Sequence, residues 1–248
     1  MKRALLLAIL SVPLLASAAT FRITTEEYRP YVIVEQGKVS GAFIDLVNAA
    51  LAQRGHKAVY EVVPWARAFA TAEKEPNVVT APWFRTPERE KTFLFFDPVI
   101  KATNRFFVLA QGKIAKNFDW KGFEDFRPYK FGGVIGYWYT ESMAKAGMTF
   151  EPVAKDDQNV RKLAAGRIDV FITDELVGWL LIKKLYPGSE AKFAMLDKPE
   201  SVAPLHVLAS KNSPHGAQFL EDFNDGLRKI RASGEYAKIV ARYRMSGK

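Results

Sequence analysis

The chain has 248 residues, of which 48% are hydrophobic and 25% are charged, with a formal net charge of +9 and no cysteine. This length and apolar content suit a globular protein with a sizeable core, and they exclude a small domain held together by disulfides. The basic residues are spread along the chain among acidic ones, so the excess charge does not indicate nucleic-acid binding.

The N-terminus has the pattern of an export signal. Lys2 and Arg3 precede an apolar run, and small residues including Ala16 and Ala18 follow it, which is the layout of a secretory signal peptide. The run is shorter than the roughly 20 apolar residues that a transmembrane helix needs. We therefore expect residues 1–19 to be removed on export and the mature protein to be soluble in a Gram-negative periplasm. Loss of Lys2 and Arg3 lowers the net charge from +9 to about +7.

Strands and helices alternate in the first half of the mature chain. FRITT predicts a strand, and the following hairpin has Gly37 and Gly41 as turn residues. The next segment, GAFIDLVNAALAQRG, has apolar residues at helical spacing and ends at Gly55. KAVYEVVPW, ARAFATAEKE and NVVTAPW then predict a strand, a helix and a strand. A β-α-β-α-β series of this kind is typical of a doubly wound sheet.

The second half repeats the alternation. Strands are predicted at YKFGGVIGYWY, TFEPVAK, RIDVFITD and KFAMLD, and helices at TESMAKAG, DDQNVRKLAAG, ELVGWLLIKKLYPG, 216–231 and 234–244. Two α/β units predict two lobes, and the segments IKATNRFFVLA and SVAPLHVLAS are expected to cross between them as a two-stranded hinge. The expected division is lobe I at 20–102 and 203–248, and lobe II at 103–202.

One candidate binding residue follows the strand NVVTAPW. In open α/β sheets, ligands bind at the carboxyl ends of the strands, where this strand places Trp83 and Phe84. The Thr-Pro pair that comes next suits the start of a helix and would hold Arg89 on a fixed turn. Its guanidinium could then grip a carboxylate through two hydrogen bonds. The alternative is a surface arginine paired with Glu88 or Glu90.

The second lobe offers candidates at two strand ends. Asp174 ends RIDVFITD just before a helix, where its carboxylate could receive a ligand amine or cap the helix. Gly136 in GGVIGYWYTE would let the backbone approach a ligand. Tyr137 and Trp138 follow directly, and they could stack on a ligand or pack the lobe surface.

The order and spacing of several motifs resemble one family along the whole mature chain. The motifs are YRPY, GAFIDL, TPER followed by FLFFDP, GVIG, AAGRIDVFITDE and GEYAKIVARY. They are similar to family 3 of the bacterial extracellular solute-binding proteins, the periplasmic receptors of amino-acid ABC transporters. The resemblance implies an α/β fold of the type II periplasmic-binding-protein kind, in which two Rossmann-like lobes close over one small solute. Its carboxylate-gripping arginine falls on Arg89, its amine-binding carboxylate on Asp174, and its aromatic lid on Tyr28.

The sequence departs from the family pattern at the site. Where the family usually has small hydroxyl residues before the T-x-x-R turn, this chain has Ala81, Pro82 and Phe84, with Trp83 between them. The family's G-S-T turn is here the sequence Gly-Tyr-Trp that begins at Gly136. These changes imply a narrower and more aromatic site. We expect the solute to be a carboxylate-bearing molecule, an amino acid or a derivative of one.

Three further residues stand near the expected site. Trp65, in VPWARAF, follows another strand and is included among the candidate ligand contacts, with ordinary packing as the alternative. Arg67 could line the site or lie in solvent. Arg85 could add a second positive charge for an acidic ligand, or pair with a nearby glutamate.

The function expected from these residues is binding, without catalysis, cofactor or metal. His56, His206 and His215 lie far apart, and they form no nucleophile–base set and no metal-ligand spacing. We expect a monomer that delivers its solute to an ABC transporter permease. The alternatives are a periplasmic enzyme on the same fold, similar to cyclohexadienyl dehydratase and using Asp174 or Glu175 as an acid, or a ligand-sensing partner of a membrane receptor.

Overall fold

The computed structural model describes residues 18–243. The predicted signal peptide lies outside these residues except for its last two positions, and so does the predicted end of the last helix at residue 244. Within residues 18–243, no helix is long and apolar enough to span a bilayer.

Strands and helices alternate through the described chain as the sequence predicts. The strands are β1 Thr20–Thr25, β2 Ile33–Glu35, β3 Lys38–Ser40, β4 Lys57–Val62, β5 Val78–Phe84, β6 Phe93–Phe95, β7 Ile100–Leu109, β8 Phe131–Val134, β9 Glu151–Val153, β10 Val170–Asp174, β11 Phe193–Met195 and β12 Ser201–Ser210. The α-helices are α1 Ala42–Ala52, α2 Trp65–Lys74, α3 Pro87–Thr92, α4 Thr140–Lys145, α5 Asp156–Ala164, α6 Glu175–Leu185, α7 Gly216–Ala232 and α8 Glu235–Arg242.

Ten of these strands form one sheet, with the path β4-β1-β5-β12-β7-β10-β8-β9 and with β6 and β11 attached to β12 and β7. β1 pairs in parallel with β4 and β5, and β8 pairs in parallel with β9 and β10. Antiparallel pairing of β7 with β12, from Ile100↔Leu205 to Asn104↔Ser201, joins the two parallel groups. The sheet thus has the two α/β units and the two crossing strands that the sequence predicts. The exact division of the lobes at 102/103 and 202/203, which lies inside this paired stretch, stays a prediction.

Local sequence explains how β5 presents its carboxyl end. All seven residues of β5 are buried, because the strand lies between β1 and β12. The strand ends at Phe84, and Thr86 caps α3 by accepting a hydrogen bond from the Arg89 N–H at 3.3 Å, with Pro87 as the first helical residue. The predicted turn therefore forms and fixes the backbone of Arg89.

Two local predictions need correction. Trp65, expected at the end of the strand KAVYEVVPW, is the first residue of α2, because β4 ends at Val62 and Pro64 is the N-cap of the helix. The strand β6 was not anticipated, because three residues are too few to show an alternating pattern, and β6 forms through pairing with β12.

The largest hydrophobic cluster is made of buried side chains from both halves of the sheet, including Phe43, Phe106 and Phe131. A smaller cluster around Phe107 and Phe171 lies between β7, β10 and the neighbouring helices. The core is therefore nearly continuous across the two lobes, and the interlobe cleft lies against it.

Candidate ligand-binding site

Arg89 is a buried guanidinium that spans the two lobes. Its Nη1 donates to the backbone oxygen of Phe84 at 2.7 Å, and its Nη2 donates to the backbone oxygen of Gly136 at 2.9 Å. The guanidinium carbon lies 4.6 Å from the ring centroid of Trp83, which is a cation–π distance. Arg89 is only 8% exposed. One side chain of lobe I is thus bonded to the backbone of lobe II.

Arg89 has no carboxylate partner among the described residues. The alternative pairing with Glu88 or Glu90 does not occur, because Glu88 pairs with Lys91 at 2.5 Å and Glu90 pairs with Arg85 at 2.7 Å. Burial lowers the pKa of Arg89 to about 9. A buried guanidinium that is held only by neutral carbonyl oxygens and aromatic rings would be stabilised by an anion.

Gly136 is positioned by a turn that favours glycine. Its φ is +84°, in the left-handed region, which residues with a Cβ adopt only at a cost. This turn follows β8 and directs the Gly136 carbonyl oxygen to the guanidinium of Arg89. That oxygen occupies one of the two positions that a bidentate carboxylate would take on the arginine.

Most of the remaining predicted site residues form an aromatic wall around Arg89. The rings of Trp65 and Trp83 lie 5.1 Å apart, those of Phe84 and Trp138 lie 4.5 Å apart, and those of Tyr137 and Trp138 lie 5.2 Å apart. We call the group the aromatic wall; its members are Tyr28, Trp65, Trp83, Phe84, Tyr137 and Trp138.

The aromatic wall leaves little space beside Arg89. With Pro82 and Leu205, the wall and Arg89 enclose a cavity of about 20 Å³, which is about the room that one water molecule needs. Phe84 belongs to lobe I and Trp138 to lobe II, so their contact closes the cleft over the arginine. The structure thus shows a closed arrangement, and a solute can reach Arg89 only if the lobes separate.

Asp174 caps a helix. Its Oδ1 accepts from the backbone N–H groups of Leu176 and Val177 at 2.9 and 3.1 Å. Its Oδ2 accepts from the Tyr31 hydroxyl and the Thr103 N–H, both at 3.0 Å. Asp174 is 1% exposed, and burial raises its pKa to about 6 while these hydrogen bonds oppose the rise.

Of the two roles that the sequence left open for Asp174, the structure shows helix capping. Four hydrogen bonds fill its acceptor sites, and it lines neither cavity between the lobes. The capping alternative describes this closed structure. Contact of Asp174 with a ligand amine stays a prediction and requires some of these bonds to break.

Arg85 and Arg67, whose roles the sequence left open, do not line the space beside Arg89. Arg85 is half-exposed and paired with Glu90, and its guanidinium carbon is 4.8 Å from the Phe95 ring centroid. Arg67 is exposed on α2. Arg85 thus takes the surface pairing that the sequence left open, and neither arginine lines the cavity beside Arg89.

Two buried carboxylates at the cleft were not predicted from the sequence. Glu26 directly follows β1, and Asp156 is the first residue of α5. They line a second cavity, to which Tyr28, Trp65 and Tyr137 also contribute. The position of Glu26 at the carboxyl end of a strand could have identified it. Asp156 gave no comparable signal, because acidic residues are common in the first turn of a helix. Within the described chain, no group of three His, Cys, Asp or Glu residues could hold a metal ion.

A cleft between two hinged α/β lobes, lined by aromatic rings and holding an unpaired buried cation, is typical of a solute-binding protein. Residues 22–246 match the family described as bacterial extracellular solute-binding proteins, family 3. The chain belongs to this family, as its motifs predicted.

Individual relatives agree with this assignment. A protein named "Probable histidine-binding protein" from Neisseria gonorrhoeae is 26% identical over 223 residues, covering 88% of this chain and 80% of its own. A histidine kinase sensor domain with similarity to periplasmic binding proteins has a TM-score of 0.80 at 20% identity, covering 90% of this chain and 95% of that one. An ancestral arginine-binding protein bound to arginine has a TM-score of 0.74 at 24% identity, covering 90% and 97%. These likenesses confirm the predicted type II periplasmic-binding-protein fold.

Proposed function

We propose that this protein captures a small carboxylate-bearing solute, an amino acid or a derivative, between its lobes and delivers it to an ABC transporter permease from the periplasm of a Gram-negative cell. The observation that carries the proposal is Arg89, a buried guanidinium at the cleft without a carboxylate partner among the described residues. The names of the relatives, which refer to histidine and arginine, support an amino acid.

The capture would proceed through opening and closing at the hinge. In the open form, Arg89 keeps its bond to Phe84, which lies on the same lobe, and loses Gly136. A solute carboxylate can then bind the freed Nη2 through a charge-assisted hydrogen bond, which is stronger than the bond to a neutral carbonyl. Closure over the solute excludes water and strengthens this pairing.

The solute must share the cleft with the aromatic wall. Because Trp138 packs on Phe84 at 4.5 Å in the closed structure, a bound solute must stand between these rings or displace one of them. Flat or slender molecules meet this condition most easily, and rings can stack on them. The geometry therefore favours solutes with a planar or extended side chain.

The first test asks whether binding requires a carboxylate. We would measure melting temperatures and titration calorimetry of the purified protein with L-arginine and L-histidine, and with agmatine and histamine, which lack only the carboxylate. A ligand at 100 times its Kd stabilises the folded state by about 2.7 kcal/mol, which raises the melting temperature by roughly 5–10 °C for a chain of this size. Equal shifts with the decarboxylated analogues would overturn the role of Arg89.

The same samples separate binding from catalysis. Solute recovered after incubation should be chemically unchanged by mass spectrometry, and prephenate and arogenate should likewise be recovered intact. Conversion of either compound would favour the dehydratase-like alternative. Stimulation of transport by a permease reconstituted with the protein, as opposed to activation of a receptor kinase, would distinguish delivery from sensing.

A further inference from the structure

A third cavity, of about 640 Å³, lies at the end of lobe I that is opposite to the cleft. It surrounds the amino end of β1, whereas the carboxyl end of β1 leads to Glu26 in the cleft. Among residues 18–243, no residue lines both this cavity and either cavity of the cleft. A role for this cavity is therefore independent of the solute site. Its lining includes Ala19, Phe21, Arg54, His56, Phe219 and Asp222.

His56 and Asp222 form a buried pair in this cavity and are 6% and 8% exposed. The Nε2 atom of His56 lies 3.3 Å from Asp222 Oδ2, and because an ionised carboxylate only accepts hydrogen bonds, Nε2 carries the proton. Asp222 is held in turn by Arg54, whose Nε donates to Oδ1 at 3.0 Å. These bonds fix the orientation of the imidazole and leave its Nδ1 as an acceptor.

Ala19 provides the donor for this second nitrogen. Its backbone N–H donates to His56 Nδ1 at 3.2 Å, and its carbonyl oxygen accepts from the Lys57 N–H at 2.9 Å. The bond to Lys57 extends the parallel pairing of β1 with β4 by one residue beyond Thr20. Ala19, which the sequence predicts to be removed on export, is thus built into the fold of lobe I.

Aromatic packing next to Ala19 keeps the end of the strand in place. The Phe21 ring stacks on the Phe219 ring, with centroids 3.5 Å apart, and meets the His56 ring edge to face at 5.3 Å. Contacts of this kind hold two rings at a defined distance. The position of Ala19 is therefore set by a packed neighbour as well as by two hydrogen bonds.

The residues before Ala19 suit a cleavage site one position earlier than predicted. Ala16 and Ala18 form the A-x-A pattern after which signal peptides are cleaved, and Ala18 is exposed whereas Ala19 is half-buried. Cleavage after Ala19 would remove both of its hydrogen bonds and leave the buried Nδ1 of His56 without its donor, which is costly. Cleavage after Ala18 keeps both bonds.

We propose that a signal peptidase cleaves the chain between Ala18 and Ala19 and that the new α-ammonium group of Ala19 docks on His56 Nδ1. In this hydrolysis the oxygen of one water molecule becomes part of the carboxylate of Ala18. The two hydrogens of the water end on the nitrogen of Ala19, which becomes the ammonium group. This inference rests on the export that the proposed function includes, and not on the identity of the solute.

An ammonium group suits this acceptor better than an amide N–H. A charged donor makes a shorter and stronger hydrogen bond than a neutral one, and through the imidazole it faces the carboxylate of Asp222. The docked group also ties down the amino end of β1, which lies between β4 and β5 in the sheet. The mature chain is therefore expected to be stabilised against fraying at its N-terminus.

The first test identifies the mature N-terminus. The full chain would be produced with its own leader in a Gram-negative host and purified from the periplasm, and its intact mass and N-terminal peptide would be determined by mass spectrometry. The expected product begins at Ala19 and ends at Lys248. A product that begins at Thr20 or at any other residue, or one that keeps its leader, would overturn the proposal.

The second test measures docking without any substitution inside the fold. Chains that begin at Ala18, Ala19 and Thr20 would be released from a fusion partner by a protease that leaves no extra residue. The chain from Ala18 keeps the N–H bond to His56 but moves the charge away, so it should melt about 2–4 °C below the chain from Ala19. The chain from Thr20 loses both bonds and should melt at least about 5 °C below it. Equal melting temperatures for the chains from Ala18 and Ala19 would overturn the docking.

Two substitutions of His56 separate the roles of its nitrogens. Asparagine can place its side-chain oxygen near the position of Nδ1, whereas glutamine places its amide group near Nε2 and leaves no acceptor for Ala19. The melting difference between the chains from Ala18 and Ala19 should persist in His56→Asn and fall below about 1 °C in His56→Gln. His215→Gln changes an exposed histidine of the same cavity and is the matched control, which should keep the full difference. A difference that survives in His56→Gln would overturn the role of His56.

Solute binding separates this inference from the proposed function. Because the cavity lies away from the cleft, the chains from Ala19 and Thr20 should bind L-arginine or L-histidine with the same Kd. Failure of the cleft to bind these amino acids would leave the assignment of the N-terminus intact. A different N-terminus would leave the role of Arg89 intact.

Discussion

Replacement of Arg89 by methionine should weaken solute binding while leaving the fold nearly as stable as before. Methionine matches the length of the aliphatic stem and can pack against the Trp83 ring that the guanidinium now covers. The substitution removes the charge and both hydrogen bonds to Phe84 and Gly136. Its effects on folding and on binding can be worked out separately.

The two effects of the substitution on the free energy of unfolding nearly cancel. Burial lowers the pKa of Arg89 to about 9, well below that of an exposed arginine, which means that the charged form is destabilised by ~5 kcal/mol in the folded state. Removing the charge removes this cost. Losing the two hydrogen bonds leaves two carbonyl oxygens without a partner, at about 1–3 kcal/mol each. The terms nearly offset, so we expect the melting temperature without solute to change by less than about 8 °C.

The effect on binding has no compensation. A solute carboxylate that binds the freed Nη2 of Arg89 through a charge-assisted hydrogen bond loses about 1.5–3 kcal/mol, so Kd should rise by roughly 10–100-fold. The assay is titration calorimetry with L-arginine and L-histidine, alongside thermal melts without solute. Arg85→Met is the matched control: Arg85 lies four residues earlier, is half-exposed and pairs only at the surface, where an ion pair contributes little. An unchanged Kd in Arg89→Met, or an equal loss in Arg85→Met, would refute the assignment.

Three further outcomes follow from the cleft. Trp138→Ala removes the ring that packs on Phe84, so thermal-shift screening should find bulkier amino acids bound than in the wild type; an unchanged set of ligands would contradict a closed aromatic wall. Asp174→Ala removes a helix cap and leaves the donors of Tyr31 and Thr103 unpaired. The loss of about 3–5 kcal/mol of stability should lower the melting temperature by roughly 10 °C. A change below 2 °C would exclude the structural role of Asp174. Finally, burial raises the pKa of Glu26 and Asp156 to about 7 and that of Asp174 to about 6. Through these three groups the folded chain holds more protons than the unfolded chain between about pH 4.5 and 7, and among the described residues only His206, whose pKa burial lowers, opposes them in this range. The melting temperature without solute should therefore rise as the pH falls from 8 to about 5; a fall over this range would contradict the burial of these groups.

The order of the elements could be predicted because local signals mark their ends. The Thr86–Pro87 pair starts α3, and Gly166, with φ of +65°, follows α5. Each of these signals depends on only a few neighbouring residues, so it can be recognised from the sequence alone. The strand β6 lacks such a signal, because its three residues are ordered by β12, more than a hundred positions away in the chain.

The candidate site was accessible to sequence reasoning only in part. Arg89, Trp65, Trp83 and Phe84 lie in short elements whose ends the sequence marks locally, and the family resemblance added the roles of Arg89 and Tyr28. Whether those residues touch a solute stays a prediction. The juxtaposition of Glu26 with Asp156 depends on how far the lobes close, and no local pattern encodes that angle. A helix-starting Asp such as Asp156 also looks the same in sequence whether it faces solvent or a cavity.

The aromatic wall gives the protein a built-in optical probe. Three of the five tryptophans, Trp65, Trp83 and Trp138, stand in the cleft. Separation of the lobes would expose the Trp138 indole to water and shift its emission to longer wavelength, and closure over a solute would reverse the shift. The occupancy of the cleft can therefore be followed by intrinsic fluorescence, with no label attached to the molecule.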